Sequence, residues 1–157
     1  MNQEIRPATR EPLASTSNAS NTSLRTLFPA TRRGARAVRH AAEQWLAEQW
    51  LAEQLTPEER RDGDLFPNAA LLIAELAANA ALHGRVRGRE ARLVAVLSAE
   101  ELWVEVTDAR GERPPVLRAD ADGESGRGLM LVDALADDWG VLPHRPGGKT
   151  VWAVCRR

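Results

Sequence analysis

The sequence has little of what stabilises secreted or membrane proteins. It contains one cysteine, Cys155, so a disulfide framework is impossible and a reducing compartment is expected. No run of apolar residues approaches the roughly 20 that a membrane-spanning helix needs, and residues 1–21 lack the apolar segment of a signal peptide. Tyrosine is absent, and lysine occurs once, as Lys149. The single cysteine and the lack of an apolar span or signal segment predict a cytoplasmic protein.

The charge balance also excludes several function classes. The formal net charge is −1, so neither nucleic acid nor an anionic membrane is an expected partner of the whole molecule. The histidines and the cysteine (His40, His83, His144 and Cys155) have no metal-ligand spacing, so a zinc-type site is not expected. The length of 157 residues, with 43% hydrophobic and 27% charged residues, fits one soluble globular domain.

Periodicity predicts the order β, α, α, β, β, α, β, β. Residues 1–22 are rich in Ser, Thr, Asn and Pro, so we expect a disordered tail before a domain at 23–157. The abundance of both element types without strict alternation predicts an α/β two-layer sandwich, with helices on one face of a mixed, mainly antiparallel sheet. The predicted strands are Leu24–Phe28, Leu93–Ser98, Leu102–Thr107, Trp139–Leu142 and Thr150–Cys155, and the predicted helices are Gly34–Leu55, Asn68–His83 and Arg127–Ala136.

Two local features refine the helices. The string Trp45–Gln49 is repeated as Trp50–Gln54, and a five-residue step turns a helix about 140° past a full turn, so the repeat cannot keep one face. It is interpreted as a small duplication that lengthens the first helix. A polar linker is expected over Arg60–Pro67, and Gly84 is expected as the C′ residue that ends the second helix.

The second helix carries the most informative polar residues. Only two polar residues occur within 69–82, and Glu75, Asn79 and His83 follow one another at intervals of four, which places them on one stripe. A buried carboxylate is costly unless it is paired or solvated, so the stripe must face a polar cavity, a partner side chain or a ligand. A carboxamide oxygen suits Mg²⁺, and a carboxylate one turn away can deprotonate a hydroxyl. Spacing leaves the alternative open that Glu75 pairs with an arginine and Asn79 packs against a loop.

Three further motifs are weak when taken singly. Asp108 stands where a predicted strand opens into a loop, which suits a binding group or a simple turn. Glycines at 126 and 128 open a predicted helix, where backbone N–H groups can meet phosphates, but neither a P-loop nor a dinucleotide fingerprint is present. Gly147-Gly148-Lys149-Thr150 is typical of a tight hairpin turn.

Taken in order, these motifs resemble the nucleotide-binding boxes of the GHKL (histidine kinase-like) ATPase superfamily. The boxes are Glu75–Gly84, Asp108, Gly126–Leu129 and Gly148–Thr150. The similarity covers Leu24–Arg157 and is strongest to the anti-sigma-factor serine/threonine kinase-like domains of actinobacteria. It implies a Bergerat-type ATP-binding fold with ATP and Mg²⁺ as cofactors.

The resemblance also implies residue roles. Glu75 would be the general base and Asn79 the Mg²⁺ ligand, while Asp108 would bind the adenine amino group with support from Thr150. The segment 108–125 would be the ATP lid, and Arg110 departs from the family's D-x-G-x-G by replacing its first glycine, which favours weaker nucleotide binding. The nucleotide-binding set implied in this way is Asn79, His83, Asp108, Gly111, Gly126, Arg127, Gly128, Leu129 and Thr150.

Two functions remain open at this point. The first is a kinase that phosphorylates a STAS-type anti-sigma-factor antagonist. The second is a nucleotide-switched module that sequesters a sigma factor, for which a basic surface is available, unless that surface is an ordinary solvated helix face. A homodimer is also open. A histidine kinase is not expected, because Ala41-Ala42 follows His40 where a phosphoacceptor helix has H-E-x-x-x-P. The basic surface consists of Arg25, Arg32, Arg33, Arg36 and Arg39.

Overall fold

The β-rich stretches of the chain pair into one five-stranded sheet. The computed structural model describes residues 21–52, 65–110, 124–143 and 147–157. The spatial order is β1-β2-β3-β5-β4, and each of the four neighbouring pairs is antiparallel, so the described strands contain no parallel pair. The predicted α/β class is confirmed, with an antiparallel rather than a mixed sheet. The strands are β1 (Thr22–Pro29), β2 (Glu90–Leu97), β3 (Glu101–Asp108), β4 (Asp138–Pro143) and β5 (Lys149–Arg156).

Three helices complete the predicted order of elements. They are α1 (Arg32–Ala52), α2 (Leu65–His83) and α3 (Glu124–Leu135). The Thr31 hydroxyl accepts a hydrogen bond from the Gly34 N–H at 3.0 Å, which caps the start of α1. The predicted disordered tail and the end of the tryptophan repeat lie outside the described residues.

All three helices begin earlier than predicted, and α1 begins at Arg32 instead of Gly34. The prediction that the linker extends to Pro67 is wrong, because α2 begins at Leu65. Leu65 and Phe66 are buried, and a proline is tolerated in a first helical turn. Helix α3 begins at Glu124, three residues before the predicted Arg127. The glycine-rich stretch therefore belongs to the first turns of α3 and not to a loop ahead of it.

Helix α2 lies at the centre of the core, where it packs against the sheet and against both other helices. It contacts α1, α3, β3 and β5, and its Leu72, Ile73 and Leu76 are almost fully buried. By length and composition alone, α2 could cross a membrane, which differs from the expectation that no apolar segment is long enough to do so. Half of it is buried inside the domain, however, and core helices pass the same test. We therefore regard α2 as the core helix that carries the polar stripe.

The opposite face of the sheet carries a smaller apolar cluster. The indoles of Trp103 on β3 and Trp152 on β5 stack with ring centroids 4.9 Å apart, and Trp152 also covers Gly140, where a side chain would crowd it. The Trp103 indole N–H donates to the Glu105 carboxylate at 2.8 Å. This cluster ties β3, β4 and β5 together, and the strand ends that form the site extend from those strands.

The two copies of the tryptophan repeat point to different sides of α1. Trp45 and Leu46 are buried in the core, whereas Trp50 packs edge-on against Phe66 at 4.8 Å and Leu51 is 75% exposed. The second copy therefore faces a different direction from the first, which confirms the prediction that the repeat does not keep one face.

Candidate functional site

The described site residues gather where β3 ends, β5 begins and α2 closes. Antiparallel pairing of β3 with β5 places Asp108 opposite Lys149 and Thr107 opposite Thr150. The C-terminal end of α2 reaches the same two strands, because Gly84 abuts the Asp108 carboxylate and His83 lies within reach of the charges of Asp108 and Lys149. The first turns of α3 pack against the middle of α2. The sequence motifs that were separated along the chain therefore meet in space.

Asp108 forms a buried ion pair that the sequence did not reveal. Its Oδ2 lies 2.8 Å from the Lys149 Nζ, and each side chain is only 3% exposed. Its Oδ1 accepts the Arg110 backbone N–H at 2.9 Å, and Lys149 also donates to the Arg110 carbonyl oxygen at 3.1 Å. Both carboxylate oxygens are thus engaged within the protein. A ligand amine can use this carboxylate only by sharing it with Lys149 or by displacing Lys149.

Two glycines make room for this ion pair. A Cβ at Gly84 would overlap the Asp108 carboxylate, and one at Gly148 would overlap the Asp108 carbonyl oxygen. Gly148 also has φ +128°, which side chains rarely adopt. Gly84 follows the last residue of α2, as predicted, and its N–H still donates to the Ala80 carbonyl oxygen at 2.9 Å, although its φ is not in the left-handed region. Gly84 is needed as glycine because Asp108 approaches it closely.

Next to the ion pair, two threonine hydroxyls meet across the strands. The hydroxyls of Thr107 and Thr150 lie 2.8 Å apart, and both side chains are buried. Thr150 was implied by the family resemblance, whereas Thr107 was not. Thr107 lies beside Thr150 because of the pairing register of β3 with β5, and no local sequence motif indicates that register. The pair forms a polar floor beside Asp108.

At the other end of the site, Glu75 approaches the start of α3. Glu75 is half-buried, and its Oε2 lies 2.9 Å from the position that a Cβ of Gly128 would take. Glycine at 128 therefore lets this carboxylate sit against the first turns of α3. Burial raises the pKa of the Glu75 carboxyl above its usual value. A carboxylate with a raised pKa is better matched to accepting a proton near neutral pH.

Between the two ends, α2 supplies Asn79 and His83. Asn79 is half-buried one turn after Glu75, so the structure does not seal this part of the stripe from solvent. Burial lowers the pKa of His83, and the charges of Lys149 and Arg110 lower it further against the opposing effect of Asp108. His83 thus joins the stripe of α2 to the ion pair.

The remaining predicted residues lie either in the first turns of α3 or outside the described residues. Gly126 and Gly128 lie in the first turns of α3, where Arg127 is exposed and Leu129 is 2% exposed. Gly111, with most of the expected lid, lies outside the described residues. Among the described residues, no group of three or more His, Cys, Asp or Glu side chains could hold a metal ion. Burial raises the pKa of Cys155 to about 11, so its thiol is not a nucleophile at neutral pH.

Comparison with known proteins shows the family and a similar fold. The family model described as "Histidine kinase-like ATPase domain" matches residues 28–155. The chain is also similar to the crystal structure of the RsbU and RsbW domains of Rv1364c from Mycobacterium tuberculosis, with 24% identity and a TM-score of 0.59. That match covers 86% of this chain and 32% of the other, so it is a likeness of fold to one part of a longer protein. No curated protein matches the sequence. Because the family model spans most of its length, the chain belongs to the histidine kinase-like ATPase domain family.

Proposed function

We propose that this chain is a cytoplasmic, ATP-dependent serine/threonine kinase that phosphorylates an anti-sigma-factor antagonist of the STAS type. The observation that carries the proposal is the position of Glu75. It is a half-buried carboxylate with a raised pKa, and it lies at Gly128 of α3, one helical turn from Asn79. The chain belongs to an ATPase family, and Glu75 can accept a proton beside the predicted phosphate site.

The described residues fit a magnesium nucleotide at this end of the pocket. The Asn79 carboxamide oxygen would hold Mg²⁺, and the free backbone N–H groups of the first turn of α3, which includes Gly126, would hold phosphates. When bound, ATP supplies the phosphoryl group and Mg²⁺ neutralises its charge. Asp108 and Thr150 would bind the adenine, with Lys149 as the competing partner of the carboxylate.

The chemical role of the protein is then mainly positioning. Glu75 accepts the proton of the substrate hydroxyl, and α2 keeps Glu75 and Asn79 at a fixed separation of one turn. The absence of a side chain at Gly128 allows the carboxylate to reach the start of α3. A transfer reaction of this type depends on positioning and charge neutralisation more than on covalent chemistry by the enzyme.

A second function is favoured by the state of Asp108. Both of its oxygens are engaged by Lys149 and Arg110, which predicts weak retention of adenine. A protein that binds nucleotide weakly would act better as a nucleotide-switched module that sequesters a sigma factor than as a kinase with rapid turnover. The basic residues of α1 would serve either partner.

Phosphate transfer from γ-labelled ATP to a purified STAS-domain protein distinguishes the two functions. We expect transfer by the wild type and a loss of roughly 10²- to 10⁴-fold for Glu75→Gln, because the proton acceptor is removed. Glu48→Gln, at an exposed position on α1, is the matched control and should leave transfer unchanged. If the wild type transfers nothing but retains a sigma factor in a pull-down, the binding-module function replaces the kinase.

A further inference from the structure

A groove of about 300 Å³ runs between α1 and α2 and does not involve the adenine end of the site. Its floor consists of small apolar residues of the two helices, among them Ala78. Arg32, Arg36 and Arg39 of α1 line one side. Glu75 is the acidic residue in the lining. The groove therefore offers apolar contact below and positive charge along one edge.

The dimensions of the groove suit a chain segment. Its α2 wall extends from Ala74 to Leu82, a separation of eight residues, which is about 12 Å along a helix. An extended peptide covers that distance with about four residues. A single phosphate or metal ion would contact only part of such a length. The shape thus favours a short stretch of polypeptide over a small ion.

The charges of α1 are not explained by the helix itself. No acidic residue occurs in its first turn, although the helix dipole favours anions there and disfavours cations. Arg39 is paired with Glu43 at 2.7 Å, whereas Arg36 is exposed at the groove. The lining, together with the Glu43 partner of Arg39, carries three arginines against two glutamates, and this excess of positive charge is complementary to an acidic partner.

Glu75 links the groove to the phosphate end of the site. The same carboxylate that lines the groove lies against Gly128 at the start of α3. A segment in the groove would therefore bring a side chain of its own to the proton acceptor. We propose that the α1–α2 groove is the docking site for an acidic segment of a partner protein, and that this segment presents the hydroxyl that is phosphorylated. The second part of this inference rests on the proposed kinase function.

Charge reversal at one lining residue tests the docking site. The probe is a short fluorescein-labelled peptide in which glutamates and a leucine flank one serine, and binding is followed by fluorescence anisotropy at low and at physiological salt. We expect Arg36→Glu to weaken binding at least tenfold. Arg87→Glu, at an exposed position after α2 and outside the groove lining, should change it less than twofold. Higher salt should weaken binding to the wild type. A peptide with glutamine in place of glutamate should bind far more weakly.

Three results would overturn the assignment. Equal binding of the acidic and neutral peptides, or equal losses for the two variants, would exclude a specific acidic docking site. Tighter, Arg36-dependent binding of a single-stranded DNA oligonucleotide would assign the groove to nucleic acid instead. ATP affinity of the wild type and both variants is measured in parallel, with circular dichroism as the check of folding. If ATP does not bind but the Arg36 effect holds, the kinase proposal fails and the groove remains; if ATP binds and the acidic peptide does not, the groove fails alone.

Discussion

The two ends of the site, the proposed adenine end at Asp108 and Lys149 and the proposed phosphate end at Glu75 and Asn79, are built in opposite ways. At the adenine end, Asp108 and Lys149 lie on strands, are almost completely buried and satisfy each other's charge. At the phosphate end, Glu75 and Asn79 lie on a helix and are half-buried, and burial raises the pKa of Glu75. A satisfied buried pair contributes order, whereas a carboxylate held in a partly desolvated position is a frequent sign of function. We therefore expect substitutions at the first end to change mainly the stability of the protein, and substitutions at the second end to change mainly its chemistry.

The largest expected effect comes from breaking the ion pair. Lys149→Met leaves the Asp108 carboxylate buried without its cation, so we expect a loss of about 3–5 kcal/mol in the free energy of unfolding, measured by urea denaturation. Replacing both partners, as Asp108→Leu with Lys149→Met, removes the buried charge altogether and should recover most of that loss. A single variant that unfolds at the wild-type midpoint would show that the adenine end is not sealed by this pair.

A smaller loss is expected from the glycine that the ion pair requires. Gly148→Ala places a methyl group against the Asp108 carbonyl oxygen at φ +128°, and we expect a loss of about 2–4 kcal/mol from strain and overpacking. Gly147→Ala is the matched control, since a Cβ there would meet no atom within 4 Å. Similar unfolding midpoints for the two variants would contradict the close approach of β5 to Asp108.

The smallest effect concerns the phosphate end and has the opposite sign. Because the folded-state pKa of Glu75 is raised, its contribution to stability is present below the unfolded-state pKa and is lost as the pH rises through the folded-state value. Glu75→Gln should therefore be slightly more stable than the wild type at neutral pH, and the gap should close in acid. Thermal unfolding of both proteins between pH 4 and pH 8 measures this. His83 has a lowered pKa and acts in the reverse direction, but it is common to both proteins and cancels in the difference. A Glu75→Gln variant that is less stable at neutral pH would mean that Glu75 is a structural residue.

The sequence predicted the order of the eight elements that the structure describes, because apolar periodicity indicates which segments form strands and helices. It placed the start of α2 too late, because Pro67 looks like a boundary although it fits a first helical turn. The stripe of Glu75, Asn79 and His83 was visible because helical spacing is local information. The partnership of Asp108 with Lys149 was not visible, because it depends on the register of β3 with β5.

The same distinction explains the basic surface. The arginines of α1 were recognisable as a cluster, but nothing in their spacing indicated that three of them share a groove with Glu75. That juxtaposition requires the packing of α1 on α2, which is a tertiary contact. Gly84 was predicted from the end of the second helix, which does lie there, but the sequence did not show that the Asp108 carboxylate, 24 positions further along the chain, packs against it.

The most direct test of the account is a calorimetric titration of ATP with and without Mg²⁺, for the wild type and for Asn79→Ala. We expect the wild type to bind ATP more tightly with Mg²⁺ than without it, and Asn79→Ala to lose this magnesium-dependent gain while remaining folded. Magnesium-dependent binding that is unchanged in Asn79→Ala, or a wild type that does not bind ATP at all, would contradict it.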